Sequence, residues 1–403
     1  MTTVAIVAEY NPFHNGHKYQ IDCIRRHFGA DTRIIAVMSG NFTQRGELAI
    51  MDKGERAKNA VDCGINLVLE LPFPFSMSSA EFFAKAAVSI IERLGIVDYL
   101  AFGSEDGNTE RLLSYARNTT NEKYLSTLTS LINKEGSIGY PALCEKAYND
   151  TYGNTEGSVS LTPNNILALE YIKALIKLNS KIEPVTFKRT GAGYNQQIDT
   201  ASGYQSATGI RDSLLGENFS ALEYVPETTK QSIISSKAAG AFPVISHALS
   251  SAIIASIRLN SPSEMTDIHD VGGGLYNRLY ASAIEANDLD TLISLTETKK
   301  YTTARIRRAI WYSFLGVTSS DVKEIPEYTQ ILAMDSDGRT MLKEIGKCSP
   351  LPVLTKPSKT GNLSVAGLRQ KSLSDRADSI FELCKPKPSA GNIALRFTPY
   401  VKK

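Results

Sequence analysis

The chain has 403 residues, 42% of them hydrophobic and 21% charged, with a formal net charge of +2. That balance supports a large apolar core and excludes a disordered or collagen-like chain, and the length fits two or three domains at roughly 150 residues each. No run approaches the ~20 apolar residues of a membrane-spanning helix, so no membrane partner is expected.

In chain order, the first apolar run is VAIVAEY from Val4, stopped by Pro12. HNGH, His14 to His17, follows it where a strand hands over to a helix. RIIAVM from Arg33 is the second run and leads into SGNFTQRGE, Ser39 to Glu47. A helix is predicted over Lys53 to Cys63, ending before Gly64, and NLVLELP from Asn66 is the third run. Ser79 to Leu94 reads as a helix with Phe82, Phe83, Ala86, Ala87, Ile90 and Ile91 on one face and Gly95 as its stop. DYLAFG from Asp98 is the fourth run, and a polar helical insert spans roughly Asn108 to Leu161. Pro163 opens a helix over Asn164 to Leu178, and PVTFKR from Pro184 is the fifth run.

Continuous apolar runs of this kind suit strands buried on both faces. Their alternation with helices predicts right-handed βαβ units in an α/β fold, a Rossmann-like doubly wound parallel sheet. After Leu214 helical periodicity takes over, at Ser246 to Leu259, Gly274 to Ala286, Asp288 to Thr296 and Thr302 to Leu315. A boundary near Gly216 divides the chain into residues 1–215 and a mostly helical 216–403. The last fifty residues, rich in proline, are expected to be irregular or to form short strands.

Five scattered cysteines, without a C-x-x-C pair, argue against a disulfide framework and for a reducing cytoplasm. The opening MTTVAIVAEYNPF has no basic leader, which argues against a signal peptide. Charge is uneven. From Lys299 onward there are 19 Lys and Arg against 9 Asp and Glu, whereas the preceding residues hold 25 against 33. A basic C-terminal quarter suggests a polyanionic partner; a solubilising surface is the plainer alternative.

The chemistry-bearing residues sit after the strands. His14 and His17 start a helix whose free N–H groups favour anions, and imidazole donors there suit charge building on an α-phosphate during in-line displacement. Gly16 lets the backbone approach a ligand. The alternatives are a surface histidine pair or zinc, but only His27, His247 and His269 remain and none has ligand-like spacing, so no protein metal site is expected. In SATGIR, Ser206 and Thr208 are helix starters and Arg211 falls on the first turn; together they suit a leaving pyrophosphate, or form an ordinary cap. Arg45 suits a small carboxylate or is a solvated loop residue. Gly103 in FGSE suits an adenine or ribose, and KRTGAGYN offers Arg189. Five such loops would converge on one crevice at the carboxyl edge of the sheet.

HNGH with a later SATGIR, and no G-x-x-x-x-G-K-[ST], resembles the HIGH-type nucleotidyltransferase superfamily. In order, VAEYNPFHNGH, MSGNFTQRGE, LVLELPFPFSMSSAEFFAKAAV, FGSEDG, GYP, PNNILALEYI, KRTGAGY and SATGIR resemble the bacterial tRNA(Met) cytidine acetate ligase family. GLYNRL, YTTARIRRA and ILAMDSDGR extend the likeness more weakly. Asn195 and Gln196, Gly209, and the tyrosine of GLYNRL depart from the family pattern.

The resemblance implies an ATP-dependent ligase that turns acetate and ATP into acetyl-adenylate and pyrophosphate, then acetylates the N4 amine of the wobble cytidine of elongator tRNA(Met). It implies an ATP site on Val7, Glu9, Tyr10, Asn11, Pro12, Phe13, His14, Asn15, Gly16, His17 and Gln20, with Gly103, one of the adjacent Asn164 and Asn165, and Arg189. Catalysis would fall to His14, His17 and Arg211, with Ser206 and Thr208 on pyrophosphate and magnesium accompanying the nucleotide. A small acetate pocket is expected at Ser39, Gly40 and Arg45. Lys299, Lys300, Arg305, Arg307 and Arg308 would grip tRNA phosphates, residues 305 and 308 sharing a helix face. The competing readings are a small-molecule adenylyltransferase without a tRNA substrate, and a nucleotide- or tRNA-binding protein without catalysis. A class I aminoacyl-tRNA synthetase would need a K-M-S-K-S-like loop, whose place SATGIR takes.

Overall fold

The computed structural model describes residues 1–134, 139–153, 157–189, 205–391 and 393–403. The five apolar runs fold as β1 (Thr3–Ala8), β2 (Arg33–Ser39), β3 (Leu67–Leu71), β4 (Tyr99–Ser104) and β5 (Glu183–Lys188). All five are parallel, in the spatial order β5-β4-β1-β2-β3. Successive side chains of a strand point to opposite faces, and here both faces are apolar. Ala5, Ile35, Val37, Leu69 and Leu100 enter one core, while Val4, Ile6, Ile34, Ala36, Met38 and Val68 enter another. The helices Ala80–Leu94 and Pro163–Lys177 cover the first face; Asn15–Phe28 and Lys53–Asp62 cover the second. Fully burying a side chain such as Ile90 or Phe83 contributes about 1.5–3 kcal/mol, so two covered faces hold the sheet far more firmly than one.

The second half is mainly helical, as expected, but it returns to the sheet. β6 (Thr329–Met334) pairs antiparallel with β3, Leu67 opposite Met334, across a register shift between Val68 and Leu69. β7 (Val353–Leu354) and β8 (Tyr400–Val401) then pair parallel with β6. The sheet is therefore mixed beyond β3. A short apolar segment inside a helical stretch carries too little periodicity to announce a strand whose partner lies in the first hundred residues.

Of the expected irregular or short-stranded end, the short strands β7 and β8 are present, but the expectation for the stretch between them is corrected. A 19-residue helix, Val365–Leu383, occupies much of the last fifty residues. The prolines bracket it, Pro357 before and Pro386 after, rather than interrupt it, and Ser364 caps it by accepting from the Gly367 amide.

The helices Leu275–Glu285, Leu289–Thr296 and Thr303–Leu315 build a separate core of Leu275, Leu279, Leu292, Ile306, Trp311 and Tyr312. Phe42 and Ala49 from the loop after β2, and Phe73 and Met77 after β3, belong to that same core. The helical layer is thus packed directly onto loops at the carboxyl edge of the sheet.

Candidate active site

The strand order reverses between β1 and β4, and a crevice opens at their carboxyl ends. It holds a cavity of about 590 Å³. Val7 of β1, Glu9, Tyr10, Asn11 and His14 of the loop after it, and His17 and Gln20 of the following helix line it, with Arg45, Gly103, Asn164, Arg189, Ser206, Thr208 and Arg211. Residues spread over two hundred positions of sequence therefore meet in one place.

His14 is the N-cap of the helix Asn15–Phe28. Its Nδ1 accepts the Gly16 N–H at 3.0 Å, and Nδ1 of His17 accepts the His14 N–H at 3.2 Å. The two rings stack with centroids 3.7 Å apart. Each Nδ1 is thus an acceptor, so the ring proton of each neutral imidazole sits on Nε2. Gly16 has a local reason: a Cβ there would lie 2.9 Å from Cε1 of His14. Tyr10 and Phe13, both buried, support His17 with ring centroids at 4.9 and 5.5 Å.

Burial, with the positive charges of Arg189 and Arg211, pushes the His14 pKa down to about 3. Burial, the neighbouring His14 and Arg189 hold His17 well below the ordinary imidazole value. The pair consists of neutral donors set at a helix N-terminus, where backbone N–H groups add to the pull on an anion.

Arg211 donates to the Asn11 carbonyl at 3.0 Å and to Thr208 Oγ1 at 3.3 Å, and pairs with Glu47 at 3.2 Å. Ser206 caps its helix by accepting from the Gly209 amide at 3.1 Å. Glu47 also pairs with Arg307. Thr302 and Ala304, at the start of the helix Thr303–Leu315, line the cavity as well, so the helical half closes one side of it.

The adjacent asparagines separate. Asn165 is buried; its Oδ1 accepts from the Glu105 and Asp106 amides at 3.0 and 3.1 Å, and its Nδ2 donates to the Ser160 carbonyl. Asn164 lines the cavity and donates to Glu105 Oε1 at 2.6 Å. Burial opposes charge on Glu105, but hydrogen bonds from Asn164, Thr162 and the backbone hold its carboxyl below the usual range.

Pro12, Phe13, Asn15 and Gly16 frame the turn without lining the cavity. Ser39 and Gly40 also stand behind its wall. The Ser39 carbonyl accepts from Arg56 at 3.2 Å, and a Cβ on Gly40 would lie 2.5 Å from Glu70 Oε1. The loop returns to the cavity at Thr43, Gln44, Arg45 and Glu47. The basic cluster is also partly withdrawn from the surface. Arg308 is buried against Asp270 at 2.7 Å, and Arg305 donates to the carbonyls of Asp270 and Gly272 at 3.1 and 2.8 Å. Lys300 donates to the Gly273 carbonyl at 2.9 Å, and both Lys299 and Lys300 are exposed. Asn195 and Gln196, and the glycines of KRTGAGY, lie outside the described residues.

Sequence reasoning did not single out Glu47, Glu105, Tyr171 or Arg56. Glu47 and Glu105 stood inside quoted loop motifs; Tyr171 and Arg56 gave no signal beyond helical spacing. Arg56 is fully buried and donates to the carbonyls of Glu9, Ser39, Gly40 and Met51, joining the ends of β1 and β2.

A family model described as HIGH Nucleotidyl Transferase matches residues 1–393. A tRNA(Met) cytidine acetate ligase of Thermoanaerobacter sp. (strain X514) is 37% identical over 364 residues, covering 89% of each chain. Another, of Acetivibrio thermocellus, is 34% identical over 413 residues and covers 99% of each. The crystal structure of Thermotoga maritima TmcAL bound with alpha-thio ATP superposes with a TM-score of 0.90 at 29% identity, over 100% of this chain and 99% of that one. Its apo form gives 0.92. With paired imidazoles at the switch point of the sheet, the chain belongs to the HIGH nucleotidyl transferases and, among them, to the tRNA(Met) cytidine acetate ligase family.

Proposed function

We propose that this protein is the ATP-dependent ligase that N4-acetylates the wobble cytidine of elongator tRNA(Met). In the first step an acetate oxygen attacks the α-phosphorus of ATP; the bond to the bridging oxygen breaks, and pyrophosphate leaves. The Nε2–H groups of His14 and His17 stabilise negative charge gathering on the α-phosphate oxygens. Arg211, with Thr208 and the helix start at Ser206, receives pyrophosphate; Arg189, Gly103 and Asn164 hold the nucleoside end. Arg45, beside Thr43 and Gln44, is the group that would hold acetate. In the second step the cytidine amine attacks the acetyl carbon and AMP leaves.

The observation that carries this reading is the reciprocal capping of His14 and His17, which leaves Nε2–H as the free donor of two imidazoles that line a cavity at the strand-order reversal. Magnesium would travel on the triphosphate oxygens; among the described residues no group of three or more His, Cys, Asp or Glu side chains forms a metal site. Lys299, Lys300 and Arg305, next in sequence to the cavity-lining Thr302 and Ala304, would meet tRNA phosphates. A wobble base is reached by splaying it out of the loop stack. ATP and tRNA as substrates put the enzyme in the cytoplasm. No helix among the described residues is long and apolar enough to cross a membrane.

Incubation of the purified protein with ATP, acetate and elongator tRNA(Met), followed by mass spectrometry of the nucleosides, is expected to yield N4-acetylcytidine and AMP. Formation of an ADP-linked metabolite with no change in the tRNA would favour the small-molecule adenylyltransferase instead.

A further inference from the structure

The two steps of this ligase reaction differ in their need for a base. Acetate attacks as an anion and moves no proton. After bonding to the acetyl carbon the cytidine amine nitrogen still carries both its protons, and one of them has to leave as the amide, which keeps the other, forms.

The cavity contains few groups able to receive it. Both imidazoles already use Nδ1 to accept a backbone N–H, at 3.0 and 3.2 Å, so the remaining nitrogen of each is a donor. Among the described residues three carboxylates line the cavity: Glu9, Glu47 and Glu105. Glu47 is held between Arg211 and Arg307. Glu105 accepts from Thr162 Oγ1 at 2.8 Å, Asn164 Nδ2 at 2.6 Å and the Asn165 amide at 2.9 Å.

Glu9 is different. Its Oε1 accepts the Gln44 amide at 2.7 Å, and among the described residues nothing donates to Oε2 and no Lys or Arg forms an ion pair with the carboxylate. Its position is nonetheless firm. Arg56 binds the Glu9 carbonyl, and the Gln44 side chain is tied to the Ser78 carbonyl at 3.1 Å. A carboxylate that lines a ligand cavity, with one oxygen lacking a donor among the described residues, is costly to maintain without a task.

We propose that Glu9 is the general base of the acetyl-transfer step. Its Oε2 takes the proton from the N4 amine as the new carbon–nitrogen bond forms, and the carbon–oxygen bond to AMP breaks with its electron pair leaving on AMP. The assignment rests on the ligase reading above. Burial raises the Glu9 pKa, which strengthens it as a base. The charges acting on it are those of Arg211, Glu47 and Arg56, and Tyr171, His14, His17, Arg45, Arg189 and Glu105 line the same cavity.

Single-turnover assays that begin from synthetic acetyl-adenylate and unmodified elongator tRNA(Met) isolate this step. Glu9→Gln is expected to slow N4-acetylcytidine formation by about 10²-fold or more. Wild type and Glu9→Asp should show a rate that rises with pH along one acidic limb, and Glu9→Gln should lack that limb. Acetate-dependent exchange of labelled pyrophosphate into ATP, which needs a folded protein but no base, should fall at least tenfold less than transfer in the same variant. Equal losses in both assays, or transfer by Glu9→Gln at the wild-type rate, would overturn the assignment. A wild-type protein that makes no N4-acetylcytidine from acetyl-adenylate would overturn the ligase reading and this role with it.

Discussion

Each imidazole of HNGH accepts a backbone N–H at Nδ1, and that bond decides which nitrogen is left for a substrate. His17→Ala is therefore expected to lower acetate-dependent pyrophosphate exchange by about 10²–10³-fold, the loss usual for a removed transition-state donor, while tRNA binding measured by filter retention stays near wild type. The same burial gives the fold an acid liability. The folded pKa of His14 is about 3 against an ordinary 6.5, so between those values the unfolded chain binds a proton that the folded one excludes. Stability is then fully present above pH 6.5 and falls as the pH drops toward 3, by up to about 2 kcal/mol at pH 5 for one such histidine. Urea unfolding at pH 7 and pH 5 should show this loss shrinking in His14→Gln. The location of the pair was legible from a strand-to-helix handover. The tautomer was not, because it depends on where two backbone N–H groups point.

At the scale of elements, the loop after β2 packs tightly against the helix Thr303–Leu315. Gly46 has φ +76°, and a Cβ on it would sit 2.7 Å from the Arg308 backbone nitrogen. Gly46→Ala must strain its backbone and push that helix away, taking Arg307 from Glu47. The expected cost is about 1–3 kcal/mol in denaturant unfolding, with a raised KM for ATP as Arg211 loses its set position. Helix starts and stops were readable along most of the chain because caps and apolar spacing are local. β6 was not: its residues show a strand only once β3 offers an edge. Nor did the prolines near the C-terminus reveal whether they break a helix or bracket one.

Across the whole molecule, a buried charge network joins segments from both ends of the chain. Lys53 Nζ lies 2.7 Å from Glu70 Oε1 and 2.6 Å from Asp378 Oδ2, and Asn41 donates to Asp378 at 2.9 Å. Burial opposes the ammonium, but the two carboxylates outweigh it and raise the Lys53 pKa. Lys53→Met would leave the buried Glu70 and half-buried Asp378 carboxylates without their shared cation, a loss of about 3–5 kcal/mol on the scale of broken buried pairs. Denaturant midpoints should show that loss, and pairing the change with Glu70→Gln and Asp378→Asn should recover part of it.

Local order along the chain specified the parallel strands, the helix caps and the placement of HNGH and SATGIR at strand and helix ends, since periodicity and capping act over a few residues. Folding chose between Asn164 and Asn165, put Ser39 and Gly40 behind the wall, drew Arg308 onto Asp270 and left one Glu9 oxygen without a donor among the described residues. Those outcomes depend on partners distant in sequence, and a side chain's spacing along its own helix or strand says nothing about which distant group will reach it.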